Sequence, residues 1–439
     1  MNLTTVFSSR AWRAALAGAA LIAGPAHAVE RPLVPVFDAA AISARCDREL
    51  ANVRGTLKAM ESRKGSGKVF AELNALSIAF TDFAYPVYLL QNVSPDKATR
   101  DAAQACLEKV LPFETEVYQS EALYRRVKAV QPADLTDKVY QQDLIEKFED
   151  GGAALSLDKR KRAKEINDEI ERMSLQFSKN VNEDPTKVVL TPAEAAGLPE
   201  SWLAARKRDA EGNLVLGLDY PTVVPFLTLA TSEEARRKVW LAKQREGGLP
   251  NIELLDRTLK LRKELADLHG APDFATYTLK RRMAQTPAAV YAFLGKVKGA
   301  VDSVEARDLD ELRAEKAAMA GQPVAEVKLN RWDVAFLQER IKKARYKIDQ
   351  EALRAYFPTD KSLQYTMKLA ELLYAVEFAE RKVATWHEDV RYFDVYDRKG
   401  DGSRGAFIGG IYLDLYPREG KYKHAAVFGI RDTVKMPDG

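Results

Sequence analysis

Residues 156–182 read SLDKRKRAKEINDEIERMSLQFSKNVN, and the spacing of their apolar positions decides the fold class. Ile166, Ile170, Met173 and Phe177 recur at intervals of four, three and four, the period of one face of an α-helix. The charged residues between them belong to a solvated opposite face, so the stripe is read as core and not as a cofactor site. The same texture extends in both directions. On the N-terminal side, Asp38 caps a helix running to about Lys64, stopped by Gly65 and Gly67. An apolar helix from Val69 towards Leu90 follows, with Pro86 placed to kink it. Ser94-Pro95 supplies an N-cap and a first-turn proline for a helix through Cys106, whose continuation towards Val130 breaks near Pro112. Thr136 opens another helix that ends at Gly151-Gly152.

On the C-terminal side, Lys187–Leu190 reads as a short strand. Helices are expected at about 221–230, 233–245, 252–269 and 272–281, then from Thr286-Pro287 towards Ala320, over 333–346 and over 363–384. Near Trp386 the texture changes. Val390–Tyr396 (VRYFDVY) and Phe407–Tyr416 (FIGGIYLDLY) are β-rich, with Gly400–Gly405 as the turn between them. The expected fold class is mainly α: an elongated multi-helix body with a small β element near the C-terminus. The divisions read from the sequence are a leader over 1–28, helical regions over 29–190 and 191–385, and a β-containing region over 386–439.

At 439 residues the chain is too long for one compact core. Lys and Arg number 67 against 63 Asp and Glu, a net charge of +4 that gives no general electrostatic reason to bind nucleic acid or an anionic membrane. A hydrophobic content of 46% excludes global disorder. The N-terminus has the three parts of an export signal: Arg10 and Arg13, the apolar Ala14–Gly24, and Ala26-His27-Ala28 as a small-x-small cleavage site. The expectation is an exported protein, most simply periplasmic, with no membrane attachment once the leader is removed. Cys46 and Cys106 both fall on expected helices; in an oxidising compartment they form a disulfide, the alternative being two buried free thiols.

The motifs that carry chemistry mostly fail on context. Gly400–Gly405 matches GxGxxG but opens a strand, whereas a dinucleotide site needs it to open a helix. Ser94 to Lys97 matches SxxK without its partner motifs. Three histidines remain after the leader. His269 precedes Gly270 at a helix end, where the dipole favours an imidazolium. His387-Glu388 begins like HExxH but carries Arg391 in place of the second histidine, and His424 has no imidazole one turn away.

One stretch is specific. Ile411 to Ala426, IYLDLYPREGKYKHAA, resembles the YLDLYPREGKYxHAA segment of the thimet oligopeptidase, neurolysin and oligopeptidase A family of zinc metallo-oligopeptidases. Trp332-Asp333-Val334-Ala335-Phe336, Tyr356-Phe357-Pro358, Trp386-His387-Glu388-Asp389-Val390, Asn92–Asp96 and Gly197-Leu198-Pro199 extend the resemblance along the chain. It implies two helical lobes flanking a channel for short peptides, cut by a zinc-activated water with the HExxH glutamate as base. That motif falls beyond the residues given, so the resemblance assigns no catalytic or metal residue here and the chain alone is expected to be inactive. The β-prone 426–434 followed by Met436-Pro437-Asp438-Gly439 reads as a hairpin without its return strand. Gly409, Gly410 and Tyr412 are the candidates for a substrate groove in which a peptide adds to the sheet edge; the competing reading is that the glycines permit close packing. Short peptides are the expected ligands. The alternatives are a non-catalytic peptide- or partner-binding protein, or one half of a split peptidase whose partner polypeptide carries the zinc site.

Overall fold

The computed structural model describes residues 33–433; the leader and Met436–Gly439 lie outside the described residues. Residues from Val34 onward form one compact unit. Its N-terminal part is a bundle of α1 (Ala39–Glu61), α2 (Val69–Val93) and α3 (Lys97–Val110), followed by α4 (Pro112–Tyr118), α5 (Glu121–Lys128) and α6 (Leu135–Gly151). Asp38 caps α1 through a hydrogen bond from the Ala41 amide, as its sequence position requires. α2 has the length and apolar content of a membrane span, yet half of it is buried here and it packs on α1 and α3 as a core helix. Pro86 lies within this helix without ending it. Ile42, Leu90, Leu107, Phe113, Leu123 and Phe148 are fully buried at the centre of the bundle. Cys46 of α1 and Cys106 of α3 are joined by a disulfide, with S–S 2.07 Å and Cα–Cα 5.7 Å.

The opening of α3 differs from the sequence reading. Asp96, not Ser94, is the N-cap, accepting from the amides of Ala98 and Thr99. A carboxylate placed one residue before Lys97 outcompetes the Ser-Pro device.

α7 (Leu157–Asn182) bridges two cores. Ala163, Ile166 and Met173 pack with Leu261 and Leu265 of α11 (Gly248–Leu268), as the stripe requires. Phe177 does not continue it, and its side chain is 39% exposed. At that level the two helices meet through polar groups: Asn180 donates to Asn251 at 2.8 Å, and Asn251 donates to the Phe177 carbonyl at 3.1 Å.

A third core surrounds Trp202, Leu214, Phe226 and Val239. It is built from β1 (Val188–Leu190), α8 (Glu200–Ala204), β2 (Lys207–Arg208), β3 (Leu214–Leu216), α9 (Tyr220–Leu229) and α10 (Glu233–Gln244). The three strands pair antiparallel in the order β1-β3-β2, whereas the sequence reading recognised β1 alone. β2 and β3 are too short to show a period of two. Their turn is marked only by the Asp209 carboxylate, which accepts from the amides of Glu211 and Asn213, and by Gly212 at φ +83°.

α12 (Phe274–Leu279), α13 (Pro287–Ala320) and α14 (Arg331–Tyr346) follow, with the last part of α13 packed on α14 through Leu312, Phe336 and Leu337. α15 (Gln350–Leu353) and α16 (Thr359–Tyr374) lead into β4 (Val376–Arg381), β5 (Arg391–Arg398) and β6 (Arg404–Leu413), an antiparallel sheet in the order β4-β5-β6. Here the expected helix over 363–384 is corrected. α16 stops at Tyr374, Ala375 turns into the left-handed region at φ +52°, and Val376–Arg381 pairs with β5. All six residues of VEFAER pair with β5, and this cross-strand pairing overrides local helix propensity.

Candidate functional site

The signature segment around 386–424 is organised by one carboxylate. Asp414 accepts from both Nη atoms of Arg418 at 2.7 Å, from Lys421 Nζ at 2.8 Å and from Trp386 Nε1 at 2.9 Å. Burial works to raise its pKa, but the hydrogen bonds from Arg418, Lys421 and Trp386 outweigh it and hold the group down at about 2. Because Asp414 and Arg418 are four residues apart, the pairing is local, and its reach is not. Arg418 Nη2 also donates to the Val93 carbonyl at 2.5 Å, at the end of α2. The Tyr422 amide donates to the Asn92 carbonyl at 2.8 Å. Lys423 Nζ donates to the Val181 carbonyl at 2.9 Å and to Glu246 at 2.7 Å. Gly420, at φ +75°, lies directly against the Arg100 guanidinium, where a Cβ would collide. Arg100 in turn donates to the Ser94 and Pro95 carbonyls and to Glu183. The motif is therefore a clasp that fastens the C-terminal segment to the ends of α2 and α7.

The folded pKa of Asp414 is depressed below its ordinary 3.8, so its contribution to stability is present above that value and lost as pH falls towards 2. Its size is of order 2 kcal/mol. Unfolding free energies of wild type and Asp414→Asn, measured by urea titration, are expected to differ by at least that much at pH 7. The gap should shrink between pH 4 and pH 2; a gap independent of pH would refute the assignment.

The three groove candidates do not share one face. Tyr412 is engaged in the clasp: its hydroxyl accepts from the Val34 amide at 3.2 Å, and its ring lies 5.3 Å from Trp386 and 4.7 Å from Tyr392. Gly410 sits opposite Asp394 on β5, beneath Tyr392; a Cβ there would lie 2.7 Å from Tyr392 Cε2 and closer still to the hydroxyl. Tyr392 uses that space to donate to the fully buried Asp394, which also accepts from Tyr396 and Arg381. Gly409 faces open space, and the outer edge of β6 has no strand partner among the described residues. Gly410→Ala is accordingly expected to cost about 1–3 kcal/mol by overpacking. Gly409→Ala should stay within about 0.5 kcal/mol. Thermal melts of the two variants would test this, and equal losses would contradict it.

The histidines are far from one another in role. His269, at the end of α11, is stacked at 4.7 Å on Tyr277, and burial followed by the nearby Lys280 pushes its pKa below the ordinary value. This corrects the imidazolium expected from the helix dipole: desolvation wins. His387 Nδ1 accepts from the Asp389 amide at 3.2 Å. His424 Nδ1 lies 2.7 Å from the Ala425 carbonyl, with its ring edge on Tyr220. Arg391, in the position of the second HExxH histidine, lies on β5 with a two-pronged bond to Glu380. Among the described residues no group of three or more His, Cys, Asp or Glu is placed to hold a metal ion. The residues described do not fit a zinc site, so no catalytic step is assigned to them.

A helical body closed by this clasp and carrying a small antiparallel sheet defines a class, and comparison with known proteins gives it a family: residues 226–438 match the model for peptidase family M3, and the chain belongs to that family. It is 32% identical to oligopeptidase A of Escherichia coli over 376 residues, covering 81% of this chain and 54% of that protein. It is 30% identical to saccharolysin of Saccharomyces cerevisiae over 370 residues, covering 80% and 52%, and 29% identical to a probable thimet oligopeptidase of Arabidopsis thaliana over 352 residues, covering 79% and 48%. The chain spans about half the length of the curated relatives it matches.

Sequence reasoning picked out the signature segment without its function in the fold. The Asp414–Arg418 spacing of four was a visible signal; the contacts with Val93, Asn92 and Val181 were not.

Proposed function

We propose that this chain supplies the scaffold and part of the substrate-facing surface of an exported, zinc-dependent metallo-oligopeptidase that hydrolyses short peptides. The observation that carries this reading is the similarity to oligopeptidases along about four-fifths of the chain. The zinc ligands and general base are attributed to family M3 sequence outside the residues described. The role left to this chain is to bind and align: the unpartnered edge of β6, with Gly409 open beside it, can accept an extended peptide by backbone pairing. Export rests on the leader sequence.

Fluorescence anisotropy of the purified chain with short labelled peptides tests the binding role. Saturable binding is expected, weakened by about tenfold or more when alternate peptide amides are N-methylated, because strand addition uses those N–H groups. Binding indifferent to N-methylation, or none at millimolar peptide, would remove β6 from the reading. Cleavage by the chain that survives a chelator would overturn the zinc-dependent one.

A further inference from the structure

α7 turns one side to α11 and another to the N-terminal bundle. On the side towards the bundle Lys164, Asp168, Glu171, Leu175 and Lys179 follow one another at intervals of four, three, four and four, a single helical face. Leu175 enters the bundle core, and Lys164 approaches Glu116 on α4 at 3.9 Å. Of the four charges in this row, three have partners of opposite sign. Lys164 Nζ pairs with Asp168 at 2.7 Å, and Lys179 Nζ pairs with Asp101 of α3 at 2.7 Å. Glu171 has no ion pair among the described residues, and its Oε2 is buried without a hydrogen-bond partner. One turn away, Asp168 Oδ1 is buried without a partner among those residues as well.

The charges that face Glu171 are mostly of its own sign. Asp168 stands beside it on α7 and Glu114 acts on it from α4, with Lys164 as the opposing cation. Arg54 of α1 is taken up by a two-pronged bond to Glu116. Burial first, then Asp168 and Glu114, push the Glu171 carboxyl up to about 7 from its ordinary 4.5, against the pull of Lys164. Left charged, the group repels both neighbours and has no partner to offset its desolvation. A proton removes the repulsion and supplies an O–H donor among the acceptors. The far end of α7 is fastened independently: Lys423 of the clasp holds the Val181 carbonyl, and Arg100 holds Glu183. The helix is pinned at its C-terminal end and sensitive to charge where it meets α4.

We propose that the seam between α7 and α4 is a proton-operated latch, closed while Glu171 carries a proton and loosened when that proton leaves. A carboxyl group held above its ordinary value binds its proton more tightly in the folded chain than in the unfolded one. The stability it contributes is therefore full below pH 4.5 and is lost as pH rises to 7. Asp414 works in the opposite direction, its contribution being lost in acid below its ordinary 3.8. The loosening is local, because Leu175, the contact with α11 and the clasp hold the remainder of α7.

Two measurements on the full chain, wild type against Glu171→Gln, test the latch. Thermal melts should coincide near pH 4; between pH 4.5 and 7 the wild type should fall behind by about 3 °C, and the gap should then level off. Hydrogen exchange read on proteolytic fragments locates the effect. At pH 7.5 the fragments covering 112–118 and 164–175 should exchange about tenfold or more faster in wild type than in the variant, while fragments of α14 exchange alike. Near pH 4.5 all of them should match. Glu171→Met, of similar length and uncharged, should reproduce the pH-dependent gap, so the test does not hang on one variant folding. A melting gap of the same size at every pH would mean that Glu171 acts through packing alone, and it overturns the proposal. So does a gap that opens only below pH 4, or faster exchange spread evenly over the chain.

Discussion

Replacing Asp333 with alanine is expected to lower the unfolding free energy by about 3–5 kcal/mol, the range for removing one partner from a buried ion pair. The carboxylate is fully buried. One oxygen accepts from Arg236 Nη2 at 3.2 Å; the other accepts from Lys316 Nζ at 2.6 Å and from the Asn330 amide at 2.9 Å. The last contact is half of a capping box that starts α14. Arg236 is itself 3% exposed, sandwiched against the Phe336 ring at 4.1 Å and donating to the carbonyls of Ala230, Thr231 and Trp332. Burial drives the Arg236 pKa below its ordinary value, and Asp333 opposes that shift. Without Asp333 the guanidinium remains buried without its hydrogen-bonded carboxylate, with only the charge of Glu233 nearby, and the α9, α10 and α14 packing around it loses its electrostatic centre.

Two further variants separate the contributions. Asp333→Asn keeps a cap acceptor but not the charge, and should lose less than the alanine. The double change Asp333→Ala with Arg236→Met removes both charges and should cost less than the sum of the singles. Urea unfolding followed by circular dichroism measures all three. A loss below about 1 kcal/mol for Asp333→Ala would place the pair among ion pairs of surface strength.

What the sequence made legible follows from range. Caps and stripes depend on residues within one or two turns, so Asp38, the break at Pro112 and the Ile166–Met173 face could be read directly. Phe177 failed because its environment is set by Asn251 on another helix. β4 failed because VEFAER becomes a strand only when β5 lies beside it. The clasp shows the same limit at greater distance: the IYLDLYPREGKYKHAA segment was distinctive as a string, but Arg418 meets a carbonyl 325 residues away. Of the groove candidates, local pattern drew attention to two adjacent glycines equally. Only the position of Tyr392 shows that Gly410 is a packing requirement while Gly409 is open. Asp333 illustrates an intermediate case. Its place at a helix start was visible, yet the buried partner that gives it most of its energetic weight lies 97 residues earlier.

Reducing the Cys46–Cys106 bond is expected to cost about 4 kcal/mol, because the bridge closes a long loop and restricts the unfolded chain far more than the folded one. The sequence separation of 60 residues sets that size in the chain-entropy account. For a chain of this length such a loss corresponds to a fall in Tm of about 5 °C. Both cysteines are 2% exposed, in the contact between α1 and α3, so a reductant reaches the bond only when the helices part. Native protein should therefore resist dithiothreitol, then lose the bond quickly once mild denaturant opens the bundle. Comparison of oxidised protein, reduced protein and Cys46→Ala/Cys106→Ala distinguishes loop entropy from packing. Loop entropy predicts that the reduced protein and the double variant both melt well below the oxidised form, with the variant lower by the small cavities that the missing sulfurs leave. If reduced and oxidised proteins melt together, the packing of α1 on α3 already restrains the loop in the denatured ensemble, and the bond contributes little to stability.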